Sequence, residues 1–155
     1  NSFTPAYSWY NNDEDVLGEA YGALYNWYSV NSGKLCPKGW RVPSPEDWDK
    51  LSYNTGGFSV SGGRLKSVRT VPDSHPRWDS PNTDATDLYG FGGLPGGFRT
   101  VKADFSSVGI TGYWWSSGQY DEPLAKGREL SYDRETMYMT AMDKRSGNSI
   151  RCVRD

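Results

Sequence analysis

The chain has 155 residues, which suits one domain, and a formal net charge of −2 at pH 7. That balance gives no support for the clustered basic face of a nucleic-acid binder, and no apolar run approaches the length of a membrane span. With 7 Trp and 11 Tyr among 35% hydrophobic residues, the core must be built from few, large rings, while 18 Gly and 9 Pro imply many turns and little continuous helix.

Asn1 to Asp15 reads as extended. The run Asn11-Asn12-Asp13-Glu14-Asp15 reads as a solvated acidic turn, since its spacing is not that of a calcium-binding EF-hand. The first helix is predicted over Gly18 to Val30. There Ala20, Ala23, Leu24, Trp27 and Tyr28 share one helical face, and Asn31-Ser32-Gly33 ends the run. Cys36 to Pro43 is a kinked connector, because two prolines exclude a regular helix.

Ser44-Pro45-Glu46-Asp47 is a strong helix start. Ser44 can cap the free N–H groups, Pro45 suits the first turn, and Asp47 stands at the third position of a capping box. Its carboxylates therefore read as capping groups rather than catalysts. Trp48 and Leu51 face the core, and Gly56-Gly57 ends the helix. Phe58 to Pro81 has little periodicity beyond a short element at Arg64-Leu65-Lys66. His75, the one histidine, sits in a loop with no second His to build a metal site or a triad. Asn82, Asp84 and Asp87 are calcium candidates, but turn-forming Asx residues have the same signature.

Phe91 to Arg99 and Gly112 to Ser117 form the centre of the chain, a Gly-Pro-Gly-Gly turn followed by Tyr113-Trp114-Trp115. Neighbours in a strand point to opposite faces, so Trp114 and Trp115 cannot enter the same core. Ala103 to Val108 reads as a turn and short strand. Period-two runs at Arg128–Asp133, Thr136–Met142 and Ser149–Arg154 predict antiparallel strands, the last one preceded by a turn at Arg145–Asn148. The expected core is Trp27, Trp40, Trp48, Phe91, Phe98, Trp114, Trp115, Leu130, Tyr132 and Ile150. Cys36 and Cys152 are either buried free thiols or one bridge closing most of the chain. Composition favours export and the bridge, which would be worth about 4–5 kcal/mol. The chain begins at Asn1 without Met and reads as a trimmed mature form.

Five ordered motifs are specific: Tyr21-Gly-Ala-Leu-Tyr-Asn-Trp-Tyr28, Leu35-Cys-Pro-Lys-Gly-Trp-Arg-Val-Pro-Ser44 with Trp48, Gly90-Phe-Gly-Gly-Leu-Pro-Gly-Gly-Phe-Arg99, Gly112-Tyr-Trp-Trp-Ser-Ser117, and Ser149-Ile-Arg-Cys-Val-Arg-Asp155. Together they make the chain resemble the Fibrobacter succinogenes major paralogous (FISUMP) domain, from about Tyr7 to the last residue, as one domain over 1–155. The resemblance implies an α+β, C-type lectin-like fold, with two helices on a small twisted antiparallel sheet and long loops. It also implies an exported or surface lipoprotein context in Bacteroidetes-type bacteria and a Cys36–Cys152 disulfide.

Some relatives are variable proteins of diversity-generating retroelements, whose diversified block matches Ser116 to Ser149 here. Within it Ala125, Leu130, Tyr132 and Ile150 look like framework. Gln119, Tyr120, Lys126, Arg128, Glu129, Ser131, Asp133, Arg134, Glu135, Tyr138 and Thr140 are then candidates for a displayed ligand surface. The expected function is a non-catalytic binding module for a protein or glycan, with no nucleic-acid partner and no membrane insertion. The alternative is a structural or adhesive unit of a larger surface lipoprotein. A formylglycine-generating-enzyme-like oxidase is less favoured, because the two cysteines bracket the motif set and look structural. Calcium-dependent sugar binding is not carried over, since Leu124 follows Asp121-Glu122-Pro123 where the lectin motif needs Asn. No cofactor is expected, calcium being the one candidate.

Overall fold

The computed structural model of the chain describes residues 3–155. Asn1 and Ser2, part of the segment read as extended, lie outside the described residues. The chain opens with β1 (Tyr7–Ser8), two tight helical turns at Tyr10–Asn12 and Glu14–Gly18, α1 (Glu19–Tyr21), β2 (Leu24–Tyr25) and α2 (Trp27–Asn31). It continues through β3 (Trp40–Arg41), α3 (Pro45–Asn54) and α4 (Phe58–Leu65). The sheet-forming part comprises β4 (Gly96–Arg99), β5 (Phe105–Val108), β6 (Thr111–Gln119), β7 (Leu124–Ser131), β8 (Met137–Asp143) and β9 (Val153–Arg154). The architecture is α+β. A sheet in the order β5-β4-β6-β7-β8 is antiparallel except where β4 meets β6 at Gly97 and Gly112, and two small antiparallel pairs, β1-β2 and β3-β9, flank it.

The best-signalled helix forms as its residues dictate. Asp47 N–H donates to Ser44 Oγ while the Asp47 carboxylate accepts from Ser44 N–H, a complete capping box with Pro45 in the first turn. The predicted helix over Gly18 to Val30 does not form as one piece. Gly22 adopts φ 77°, ψ −171° and turns the chain into β2, which pairs with β1. Asn26 then caps a new helix, its side chain accepting from Ser29 N–H. A second departure is α4, an eight-residue helix inside the stretch that reads as aperiodic. Its Ser61, Gly62 and Gly63 are buried, and a Cβ at Gly62 would lie 2.5 Å from Thr136 O and 2.7 Å from Glu135 O. That face is legible as a close approach to β8 rather than as an apolar stripe. The predicted last strand shrinks to β9, which pairs with β3 (Trp40 opposite Arg154), while Ser149 lies alongside Trp114 in a separate parallel bridge.

Trp114 and Trp115 do enter different cores. Trp114 packs with Trp48, Leu65, Trp78, Leu130 and Met137, and Trp115 with Trp27, Val30 and Ala125. Phe91 and Tyr132 pack half-buried against the first cluster, and Ile150 against the second. Phe98 is half-buried, its ring edge-on to Tyr113 at 5.2 Å. Burying one such large side chain contributes about 1.5–3 kcal/mol. Trp40 departs from the expected core, being 46% exposed because the short β3 lies at the surface. Trp78, which nothing in the sequence marks, is fully buried, and its indole N–H donates to Gly93 O at 3.0 Å. Cys36 and Cys152 are disulfide-bonded with Cα atoms 5.8 Å apart, which clasps the first half of the chain to β9. Among the described residues no helix is long and apolar enough to cross a membrane.

Candidate functional site

The residues expected on a displayed C-terminal surface divide three ways. Gln119, Tyr120, Asp133, Arg134 and Tyr138 are exposed, and Lys126, Glu129, Glu135 and Thr140 are half-buried. Cross-strand register places Glu129 between Tyr113 on β6 and Tyr138 on β8. Burial raises the Glu129 carboxyl above its usual range, and burial, with the Glu129 charge adding to it, raises the Tyr113 phenol. Arg134 stacks over Tyr138 at 5.5 Å. The Ser131 hydroxyl donates to Asp133 Oδ1 at 2.5 Å, the main reason that carboxylate titrates low.

Arg128 and Ser131 are not displayed. Arg128 is fully buried beneath α3, where its Nη2 donates to Asp49 Oδ1 at 2.6 Å and its guanidinium lies 5.8 Å from the Phe58 ring centre. Ser131 is buried beside the Lys66 ammonium, which donates to the carbonyls of Ser131 (2.9 Å) and Arg134 (2.8 Å). Strand alternation puts Arg128 in step with Leu130 and Tyr132, on the face that α3 covers, so its charge and not its phase makes it read as displayed; Met139, in step with buried Met137, is 66% exposed.

A groove of about 420 Å³ that the sequence does not announce lies between α3, the Tyr89–Phe91 turn and β9. Trp48, Leu51 and Leu65 form its floor, so it is mainly apolar. Two exposed rings line it, Trp40 (46%) and Tyr89 (51%). Arg151 lies over Phe91 at 4.4 Å and donates to Phe91 O at 2.7 Å, and burial lowers its pKa. Asp47 brings a charge to the opposite wall. The Arg41 guanidinium bonded to it is the largest cause holding its carboxyl down at about 2. The β3-β9 pair and Cys152 form one side of the groove, which places the disulfide in that wall. Trp40 also lines a second cavity of about 440 Å³ beside Val30, Leu35, Cys36 and Val42.

One of the calcium candidates, Asp87, holds the turn beside the groove. Asn82, Asp84 and Asp87 all adopt positive φ (48°, 52° and 46°), the left-handed region that Asx residues tolerate. Asp87 Oδ1 accepts from Gly92 N–H at 2.7 Å, which holds the turn that presents Tyr89 and Phe91. Asn82 is buried and donates to Ser67 O. Among the described residues no group of three or more His, Cys, Asp or Glu could hold a metal ion. His75 Nδ1 and the Tyr21 hydroxyl are hydrogen-bonded at 2.5 Å. The groove escapes a reading of the sequence because four segments far apart in the chain build it. The one local signal is Tyr89 placed between Asp87 and Gly90.

A family model described as the Fibrobacter succinogenes major domain matches residues 2–154, so the chain belongs to that family. No curated protein and no solved structure matches the chain.

Proposed function

We propose that this member of the Fibrobacter succinogenes major domain family is a non-catalytic recognition module of an exported or surface bacterial protein. On this reading it has a C-type lectin-like fold and binds a saccharide in the groove between α3, the Tyr89–Phe91 turn and β9. The observation that carries the reading is the pair of exposed rings, Trp40 and Tyr89, on an apolar groove whose walls also bear Arg151 and Asp47. Its volume falls within the roughly 300–1,000 Å³ of small-ligand sites. A protein partner would need about 800 Å² of surface on each side. Aromatic rings suit the C–H face of a sugar ring, and charged groups at the wall suit its hydroxyls through charge-assisted hydrogen bonds. Short helices on a mainly antiparallel sheet with long connections support the fold assignment. The disulfide supports an oxidising compartment.

The test is a glycan array followed by titration of the best-bound saccharide. W40A and Y89A should each weaken binding at least tenfold, about 1.4 kcal/mol, while Y120A and Y138A leave it unchanged. Loss in the second pair alone would move the site to the displayed β6–β8 edge, the surface a diversified variable protein would use. A folded domain that binds no glycan would favour the structural or adhesive alternative.

A further inference from the structure

A smaller cavity of about 70 Å³ lies away from the groove, bounded by β1, β2, the end of β4 and the turn at 145–147. It is several times the about 10–15 Å³ that one water needs. The turn is sewn to β4 by two hydrogen bonds, Arg99 N–H to Gly147 O and Gly147 N–H to Arg99 O, both 2.8 Å. Two buried donors on its wall have no protein acceptor, Arg99 Nε–H and the Ser8 hydroxyl.

The charges at the wall do not balance. Arg145 is neutralised by Asp143, with Nε to Oδ1 at 2.9 Å and Nη2 to Oδ2 at 2.6 Å. Arg99 forms no ion pair among the described residues, and the Phe105 ring, 5.7 Å away, meets one face of its guanidinium. A water molecule can accept from a donor but leaves a partly buried charge uncompensated. A guanidinium fork matches a planar or tetrahedral oxyanion in geometry and in sign.

We infer that this cavity binds a small oxyanion, a carboxylate, sulfate or phosphate group, held by the Arg99 guanidinium and the Ser8 hydroxyl. The inference is independent of the saccharide groove. Two sources share this chemistry, a free inorganic ion and the acidic substituent of a larger molecule.

Nuclear magnetic resonance on the whole domain tests it, with sodium sulfate and glucose 6-sulfate as probes at constant ionic strength. The signals to follow are Arg99 Nε–H and the Gly147 amide. Sulfate should shift both saturably, S8A should weaken binding several-fold, and R99M, read at Gly147, should abolish it. Saturation by glucose 6-sulfate as well identifies a substituent as an acceptable source, whereas saturation by sulfate alone identifies the free ion. Equal affinity in R99M, or shifts that rise without saturating across all exposed arginines, would overturn the inference. If R99M does not fold, R99K and S8A decide. R99K keeps the charge and loses the fork, so unchanged affinity in both variants would be equally fatal.

Discussion

Removing the Cys36–Cys152 clasp with the double substitution C36S/C152S is the most informative perturbation of this fold. The bridge spans 116 residues of sequence. Loop-closure entropy for that span gives about 5 kcal/mol of stabilisation, a large share of the roughly 5–15 kcal/mol that holds a typical domain together. With an unfolding entropy of about 2.1 cal/mol/K per residue, the midpoint of thermal unfolding should fall by about 15 °C. The loss should begin locally. Without the bridge, β9 is held by two residue pairs with β3 and by the Asp155 N–H to Gly39 O bond at 3.1 Å. Urea unfolding measures the global change, and amide hydrogen exchange at Val153 and Asp155 measures the local one. A loss under about 1 kcal/mol, or unchanged protection of those amides, would refute the assignment of the clasp as the element that fixes the groove wall.

Three further outcomes are expected. W78A removes a fully buried ring and its bond to Gly93 O, and should cost about 3–5 kcal/mol in urea unfolding. D47A removes half of the capping box and should cost about 1 kcal/mol at pH 7. Because the folded-state pKa of Asp47 is depressed to about 2, its contribution is present above about pH 4 and disappears as pH falls towards 2, so the two proteins should converge there in acid-unfolding curves. Lys66 adds a second rise of stability with pH, in the alkaline range. Burial lowers its pKa to about 8, so the folded state releases the proton first and stability should rise between about pH 8 and 10. K66M should flatten that rise in denaturation midpoints measured across the range.

What could be read in advance was local. The Ser44–Asp47 cap and the opposed indoles of Trp114 and Trp115 depend on neighbouring residues and form as expected. The first helix misleads because Ala20 and the later Ala23, Leu24, Trp27 and Tyr28 keep helical spacing across a break made by one glycine, Gly22. Trp78 was silent, standing among Pro, Asp and Ser with no periodic partner. Composition favours the bridge without deciding it, and the resemblance implies it. Arg128 shows the limit most clearly. Alternation sets it in step with the core residues Leu130 and Tyr132, yet its charge makes it read as displayed, because only the fold brings Asp49 of α3 to pair with it. The groove, assembled from β3, α3, the Tyr89 turn and β9, has no local signature to read.

Residues 114 and 115 share a single peptide bond, yet one keys the layer under α3 and the other the layer against α2. The Trp115 indole is tied to Tyr25 O at 2.7 Å, and the Trp27 indole is tied in turn to Ser116 O at 3.1 Å. That strand acts as a hinge pin common to both halves. Play introduced on either side would be felt on the other, and the molecule should melt as one block rather than in two stages.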